Sequence, residues 1–225
     1  SWFPSLGVTA HRIHEARGCG TPGTRMCVGT RSEARDGVAA RTGQTLWEQQ
    51  IVDPMEGSST TSPPLVLKDM VITGMTGGEY ATRGHLDAYD AATGKLVWKF
   101  YTVAKQGDPG GDSWGNLPDL FRAGAEQWIT GSYDPDLNLT YWGTAQAKPW
   151  TQASRQSGTG ATNYANSTIA LNPDTGKMTW FYNHAPGESL DLDIVFERIL
   201  VDDAGQSYVF TAGKDAVLWK LDRKT

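Results

Sequence analysis

Hydrophobic and polar positions in this chain alternate in short runs, and helical periodicity is weak throughout. Leu86, Ala88 and Asp90 sit at alternate positions before a Thr-Gly turn and suit a strand. Residues 64–73 (PLVLKDMVIT) predict a hairpin turning at Lys68-Asp69. Residues 128–133 and 137–142 predict a second, paired across Asp134-Pro135-Asp136. Residues 199–201 and 208–211 flank a polar turn at 202–206. Residues 105–125 and 148–166 are rich in Gly, Asp, Asn, Pro and Ser and read as long loops, which in compact folds are often functional.

One phrase organises these strands. It reads GVAARTGQTLW at 37–47, AYDAATGKLVW at 88–98 and ALNPDTGKMTW at 170–180, and KLDRKT at 220–225 begins a fourth copy. Thr-Gly supplies a tight turn in which Gly is free to take positive φ. A Trp follows each Gly by four residues, at 47, 98 and 180. An indole buries on the order of 150–250 Å², so one per repeat can lock each sheet onto the next. Three unrelated hairpins sharing Thr-Gly would not keep Ala, Thr, Gly and Trp in register. The spacing of Trp47 and Trp98 is 51 residues, near one propeller blade of ~40–50. The 82 residues from Trp98 to Trp180 leave room for a blade and an insertion. The fourth copy stops one residue before its Gly, so the ring is expected to continue beyond Thr225.

Composition narrows the function classes. Gly (26), Trp (9) and Tyr (8) are abundant, as in folds of many short strands and tight turns. A net charge of −5 without a basic stripe argues against a nucleic-acid partner. No apolar run approaches the ~18 residues of a transmembrane helix. The chain has neither an initiator Met nor a signal-peptide pattern, as expected of a mature secreted chain or an internal fragment. Cys19 and Cys27 are the only cysteines and suit either a disulfide or two free thiols. With no His cluster beside them, zinc is not expected.

The repeated A-x-D-x-x-T-G-K-x-x-W phrase resembles the tryptophan-docking motif of eight-bladed quinoprotein dehydrogenases, the alcohol dehydrogenases that use pyrroloquinoline quinone (PQQ). The likeness runs over 37–225 and includes GGEYATRG (77–84), WITGSYDPDLNLTYWGT (128–144) and GKDAVLWKLDR (213–223). It implies an all-β fold: a partial eight-bladed β-propeller, about half of the ring. Residues 1–36 match poorly and look unlike a propeller strand set.

The resemblance also implies a site. Its cofactors would be PQQ and a calcium or lanthanide ion, the metal polarising a quinone carbonyl as a Lewis acid. Glu79 corresponds to a metal-ligand Glu; read alone it would be a solvated strand-end acid. Thr76, Gly77 and Gly78 correspond to positions that contact PQQ, as does Thr61, otherwise a cap before a Pro-rich strand start. Trp128 corresponds to the floor on which the tricyclic quinone stacks. Asp191 corresponds to the catalytic base, and Asp193 to the extra carboxylate of lanthanide-dependent members. In an extended segment the two would face one side, although two solvated loop acids would read alike. Lys214 corresponds to the cation near the quinone oxygens, where positive charge favours the reduced form; alternatively Lys214-Asp215 is a simple turn.

The chain departs from the family pattern in four places. Ala145-Gln146 stands where the family has Gly-Asn, so Gln146 is the metal-ligand amide only if the loop shifts. Leu190 stands where a Trp often precedes the base. The adjacent Cys-Cys pair of many members is absent. Arg17-Gly18 could take the place of a cofactor-binding Arg-Gly, in a stretch that aligns poorly. The expected activity is oxidation of an alcohol or polyol, with electrons passed to a cytochrome or quinone, in the periplasm. The other reading is a non-catalytic propeller scaffold, which would need the Trp phrase but not Glu79, Trp128, Asp191 and Lys214 together.

Overall fold

In the computed structural model, residues 14–15, 26–30, 34–39 and 42–224 are described. Cys19, Arg17-Gly18 and Thr225 lie outside the described residues. Four consecutive antiparallel meanders form the framework. The first is β1 (His14–Glu15), β2 (Met26–Thr30), β3 (Ala34–Ala39) and β4 (Thr45–Gln50). The second is β5 (Leu65–Leu67), β6 (Met70–Thr73), β7 (His85–Asp90) and β8 (Leu96–Tyr101). A two-stranded ribbon pairs β9 (Ala123–Gly124) with β12 (Ala147–Lys148). The third meander is β10 (Ser132–Asp134), β11 (Leu139–Gly143), β13 (Ser167–Leu171) and β14 (Met178–Asn183). The fourth is β15 (Ile199–Asp203), β16 (Gln206–Ala212) and β17 (Leu218–Asp222). No helix among the described residues is long and apolar enough to cross a membrane.

The repeated phrase builds the same joint each time. Its turn is closed by an Asp or Asn: Thr93 donates to Asp90 through both N–H and Oγ1, as Thr175 does to Asn172. The Gly that follows takes φ of +70° at Gly94 and +68° at Gly176. A register shift falls at the same place in all three copies, after Gly37, Ala88 and Ala170. Across the strand from each Trp lies one of these small residues: Gly37 opposite Trp47, Ala88 opposite Trp98, Ala170 opposite Trp180. The indole then reaches the turn of the next sheet. Trp47 Nε1 donates to Ala91 O at 2.8 Å, Trp98 Nε1 to Pro173 O at 2.6 Å, and Trp180 Nε1 to Arg223 O at 3.1 Å. Gly94 and Gly176 lie so close under the rings that an added Cβ would come within 2.6 Å of Trp47 and 2.5 Å of Trp98.

Trp98 belongs to the largest core, with Leu67, Ile72 and Leu86 from the second meander and Trp142, Ile169 and Leu171 from the third. Residues 64–73 form the expected hairpin. The next one is shorter than the pattern predicts: β10 begins at Ser132, and 128–131 are not strand. That stretch bonds towards the preceding meander instead, with Trp128 O accepting from Thr61 Oγ1 and Thr130 Oγ1 donating to Pro63 O, next to the Gln127 N–H bond to Met75 O. The first meander takes β1, β2 and the start of β3 from residues 1–36, which in sequence look unlike a propeller strand set. The loop at 105–125 contains two short 3-10 turns, and the one at 148–166 a single helical turn, Gln152–Arg155.

Trp98→Ala should lower unfolding free energy by about 3–5 kcal/mol, and half-buried Trp180→Ala by less. Gly176→Ala should also destabilise, since it combines a clash with a left-handed backbone. Urea denaturation checks the order; equal losses for the two tryptophans would contradict the docking account.

Candidate functional site

Site residues come from equivalent places in successive meanders. Thr61, Trp128 and the Asp191/Asp193 pair each precede the first strand of a meander, β5, β10 and β15. Thr76 to Glu79, Gln146 and Lys214 each follow the second strand, β6, β11 and β16. These segments meet at one end of the sheets and enclose a cavity of about 340 Å³. Thr61, Thr76, Glu79, Trp128, Asp191, Asp193 and Lys214 all line it. That volume lies in the small-molecule range.

Hydrogen bonds between neighbouring segments hold the cavity wall. Thr61 Oγ1 donates to Trp128 O at 3.4 Å, and Gln146 N–H to Asp193 Oδ1 at 3.1 Å. Lys214 N–H donates to Asp193 O at 3.1 Å. Phe196 meets the Trp128 ring edge-on, with centroids 5.6 Å apart. Gly77 and Gly78 are buried behind the wall. A Cβ on Gly77 would fall 2.7 Å from Gly57 O, and one on Gly78 only 1.9 Å from Glu126 Oε1. Asp191 has φ of +62°, a left-handed conformation uncommon outside Gly and, among other residues, most tolerable for Asn and Asp.

Each acid of the site has a cationic or amide partner. Lys214 Nζ lies 2.9 Å from Asp191 Oδ2 and 2.6 Å from Asp193 Oδ2. Burial pulls the Lys214 pKa down, but the hydrogen bonds it donates to Asp193 and Asp191 outweigh that, and the net direction is up. Gln146 Nε2 donates to Asp191 Oδ1. Lys148 Nζ donates to Glu79 Oε1 at 3.0 Å. For Glu79, burial pushes the pKa up, yet the bond from Lys148 helps bring it below the usual value.

Three cavity residues escaped the sequence reading: Glu126, Lys148 and Trp150. Glu126 is the one charge in 123–133 and Lys148 the one charge in 137–154. A lone charge in an uncharged run was the available signal. Glu126 Oε1 accepts from Gly78 N–H at 2.7 Å, while its buried Oε2 makes no hydrogen bond. Two arginines set the backbone around the cavity. Arg155 donates to Pro149 O, Trp150 O, Gly187 O and Glu188 O at 2.6–3.0 Å. It thereby ties the ribbon end to the segment leading into Asp191. Arg198 donates to Ile194 O and Ser167 O and anchors the segment after Asp193.

The family model for the PQQ glucose/ethanol/alcohol dehydrogenase β-propeller domain matches residues 48–225. This chain belongs to that family. It is 36% identical over 227 residues to the quinohemoprotein alcohol dehydrogenase ADH IIB of Pseudomonas putida, covering 92% of the chain and 32% of that protein. It is 36% identical over 180 residues to a lanthanide-dependent methanol dehydrogenase of Methylacidiphilum fumariolicum, covering 72% of the chain and 29% of that protein. A solved europium-containing methanol dehydrogenase superposes with a TM-score of 0.81 at 30% identity, over 92% of this chain and 39% of that one. The chain thus spans about a third of the length of these curated relatives, and its fold is part of a PQQ-dehydrogenase β-propeller.

The donor chemistry fits the metal such a site would use. Glu79, Asp191 and Asp193 offer carboxylate oxygens, as a hard cation requires. Gln146 Oε1 is buried and makes no hydrogen bond, so an acceptor stands available beside them. Among the described residues no three carboxylate, His or Cys side chains are gathered closely enough to hold an ion. Lysines stand on the carboxylates instead.

Burial raises the Glu126 carboxyl from 4.5 to about 7, against the pull of backbone hydrogen bonds and Lys148. The folded state therefore holds this proton more tightly than the unfolded chain. Its stabilisation is full below about pH 4.5 and is lost as the pH rises through about 7. By about pH 8 the penalty is on the order of 3 kcal/mol. Glu126→Gln should raise the melting temperature of the metal-free protein at about pH 8 and leave it nearly unchanged at about pH 4. A rise of equal size at both would contradict this assignment.

Proposed function

We propose that this chain is the cofactor-bearing portion of a PQQ-dependent dehydrogenase that oxidises an alcohol or polyol. The observation that carries this reading is the single cavity lined by Thr61, Thr76, Glu79, Trp128, Asp191, Asp193 and Lys214, drawn from three successive meanders. PQQ, bound with a metal ion, would supply the quinone as hydride acceptor for the alcohol.

The chain's own residues do the rest. Trp128 offers an indole surface to a planar ring system, and Thr61 and Thr76 offer hydroxyls at the rim. Glu79, Gln146, Asp191 and Asp193 would hold the metal through oxygen. The Asp191 carboxylate takes the substrate hydroxyl proton; its left-handed backbone sets it at the cavity wall. Lys214 holds positive charge where reduction builds negative charge. Asp193 adds a carboxylate, which favours a trivalent ion over calcium. Electrons would then pass to a cytochrome or a quinone, and the compartment this reading assigns is the periplasm, which fractionation of the source cells would check.

The test uses the intact protein, supplied with PQQ and either calcium or a lanthanide, in a dye-linked assay over a broad alcohol panel. Activity with one or both ions is expected; inactivity with both sinks the reading. Asp193→Ala should reduce lanthanide-supported turnover about tenfold or more and calcium-supported turnover less. Unchanged lanthanide activity in that variant would remove Asp193 from the ligand set.

A further inference from the structure

Lys148 is the one cationic side chain of the site that the proposed chemistry does not use. Its side chain is only 7% exposed, whereas its partner Glu79 is 62% exposed. The ribbon packs closely around it. Lys148 ends β12, and β9 opposite carries Gly124, where a Cβ would sit 3.0 Å from Lys148 Cγ and 2.4 Å from Gln146 O. Lys148 Nζ also lies 4.8 Å from the centre of the Trp150 ring. The ammonium is therefore held beside the one carboxylate, Glu79, that the second meander brings to the cavity's metal set.

We infer that Lys148 is a built-in counter-cation that competes with the metal ion for Glu79 and lowers the affinity of the site. The inference rests on the metal-site reading of Glu79 above. A lysine bonded to a carboxylate at 3.0 Å and a metal ion bound to that same carboxylate repel each other strongly at such range. Moving a buried ammonium away without a new partner would be prohibitive. Glu126 supplies an acceptor for it: it lines the same cavity and has a buried Oε2 without a hydrogen bond, free to take a bond from the ammonium. Lys148 thus has a second acid to move towards when a metal claims Glu79, so binding is weakened but not forbidden. Repulsion scales with the ion's charge, so the penalty is larger for a trivalent than for a divalent ion.

The test is calorimetric titration of the intact protein with lanthanum(III) and with calcium(II), with and without PQQ. Lys148→Met keeps the stem against Gly124 and Trp150 and removes the charge. It should tighten lanthanum binding about tenfold or more and calcium binding by a smaller factor. Lys148→Arg, which keeps the charge, should stay within about threefold of the original affinity. Lys148→Gln serves as a second neutral variant if thermal melting shows the Met variant unfolded. Unchanged or weaker binding in the neutral variants overturns the inference while leaving the metal site standing, as does an equal gain for both ions. No metal binding by any of these proteins overturns both the inference and the metal-site reading.

Discussion

Each of the first three meanders is seated by one indole on the turn of the next. Trp47 lies over Gly94 and donates to Ala91 O; Trp98 lies over Gly176 and donates to Pro173 O. The joint combines a large apolar area with one directional hydrogen bond, so it sets both distance and angle between sheets. It also explains three otherwise separate features of the repeat. A small residue faces the Trp across the strand, a register shift follows that residue, and the turn Gly lacks a Cβ because the ring occupies its place.

The chemistry depends on this joint although no docking Trp lines the cavity. Only when successive sheets repeat at a constant step do the ends of β6, β11 and β16 and the approaches to β5, β10 and β15 converge on one point. Buried arginines then hold the converging loops by their carbonyls. Arg155 links 149–150 to 187–188, and Arg198 links 194 to 167. A planar guanidinium satisfies several carbonyls at once, which suits segments that cannot satisfy one another as a sheet.

Within the cavity, electrostatics take the form of paired acids and bases. Lys214 bridges Asp191 and Asp193, Lys148 holds Glu79, and Glu126 stays largely protonated below about pH 7 because burial disfavours its charge. Several carboxylates this close would repel without cations between them. The lysines thus keep an acid-rich pocket compatible with folding, and they stand where a metal's charge would otherwise be felt.

The sequence by itself determined the repeat, the strand-rich class and the turn chemistry, because those depend on local alternation, Thr-Gly turns and a Trp at constant offset. It also singled out Glu79, Trp128, Asp191, Asp193 and Lys214, since the stretches around them carry a family resemblance. It did not reveal Glu126, Lys148 or Arg155, whose roles arise from contacts with segments far along the chain: Gly78 for Glu126, Glu79 for Lys148, and 187–188 for Arg155. Nor did alternation give the true start of β10, because Gln127, Trp128 and Thr130 hydrogen-bond towards the neighbouring meander through Met75, Thr61 and Pro63. Only the tertiary structure decided which charge meets which. Electrostatic partners are chosen by distance in space, and hydrophobic periodicity records only which face of a strand turns inward.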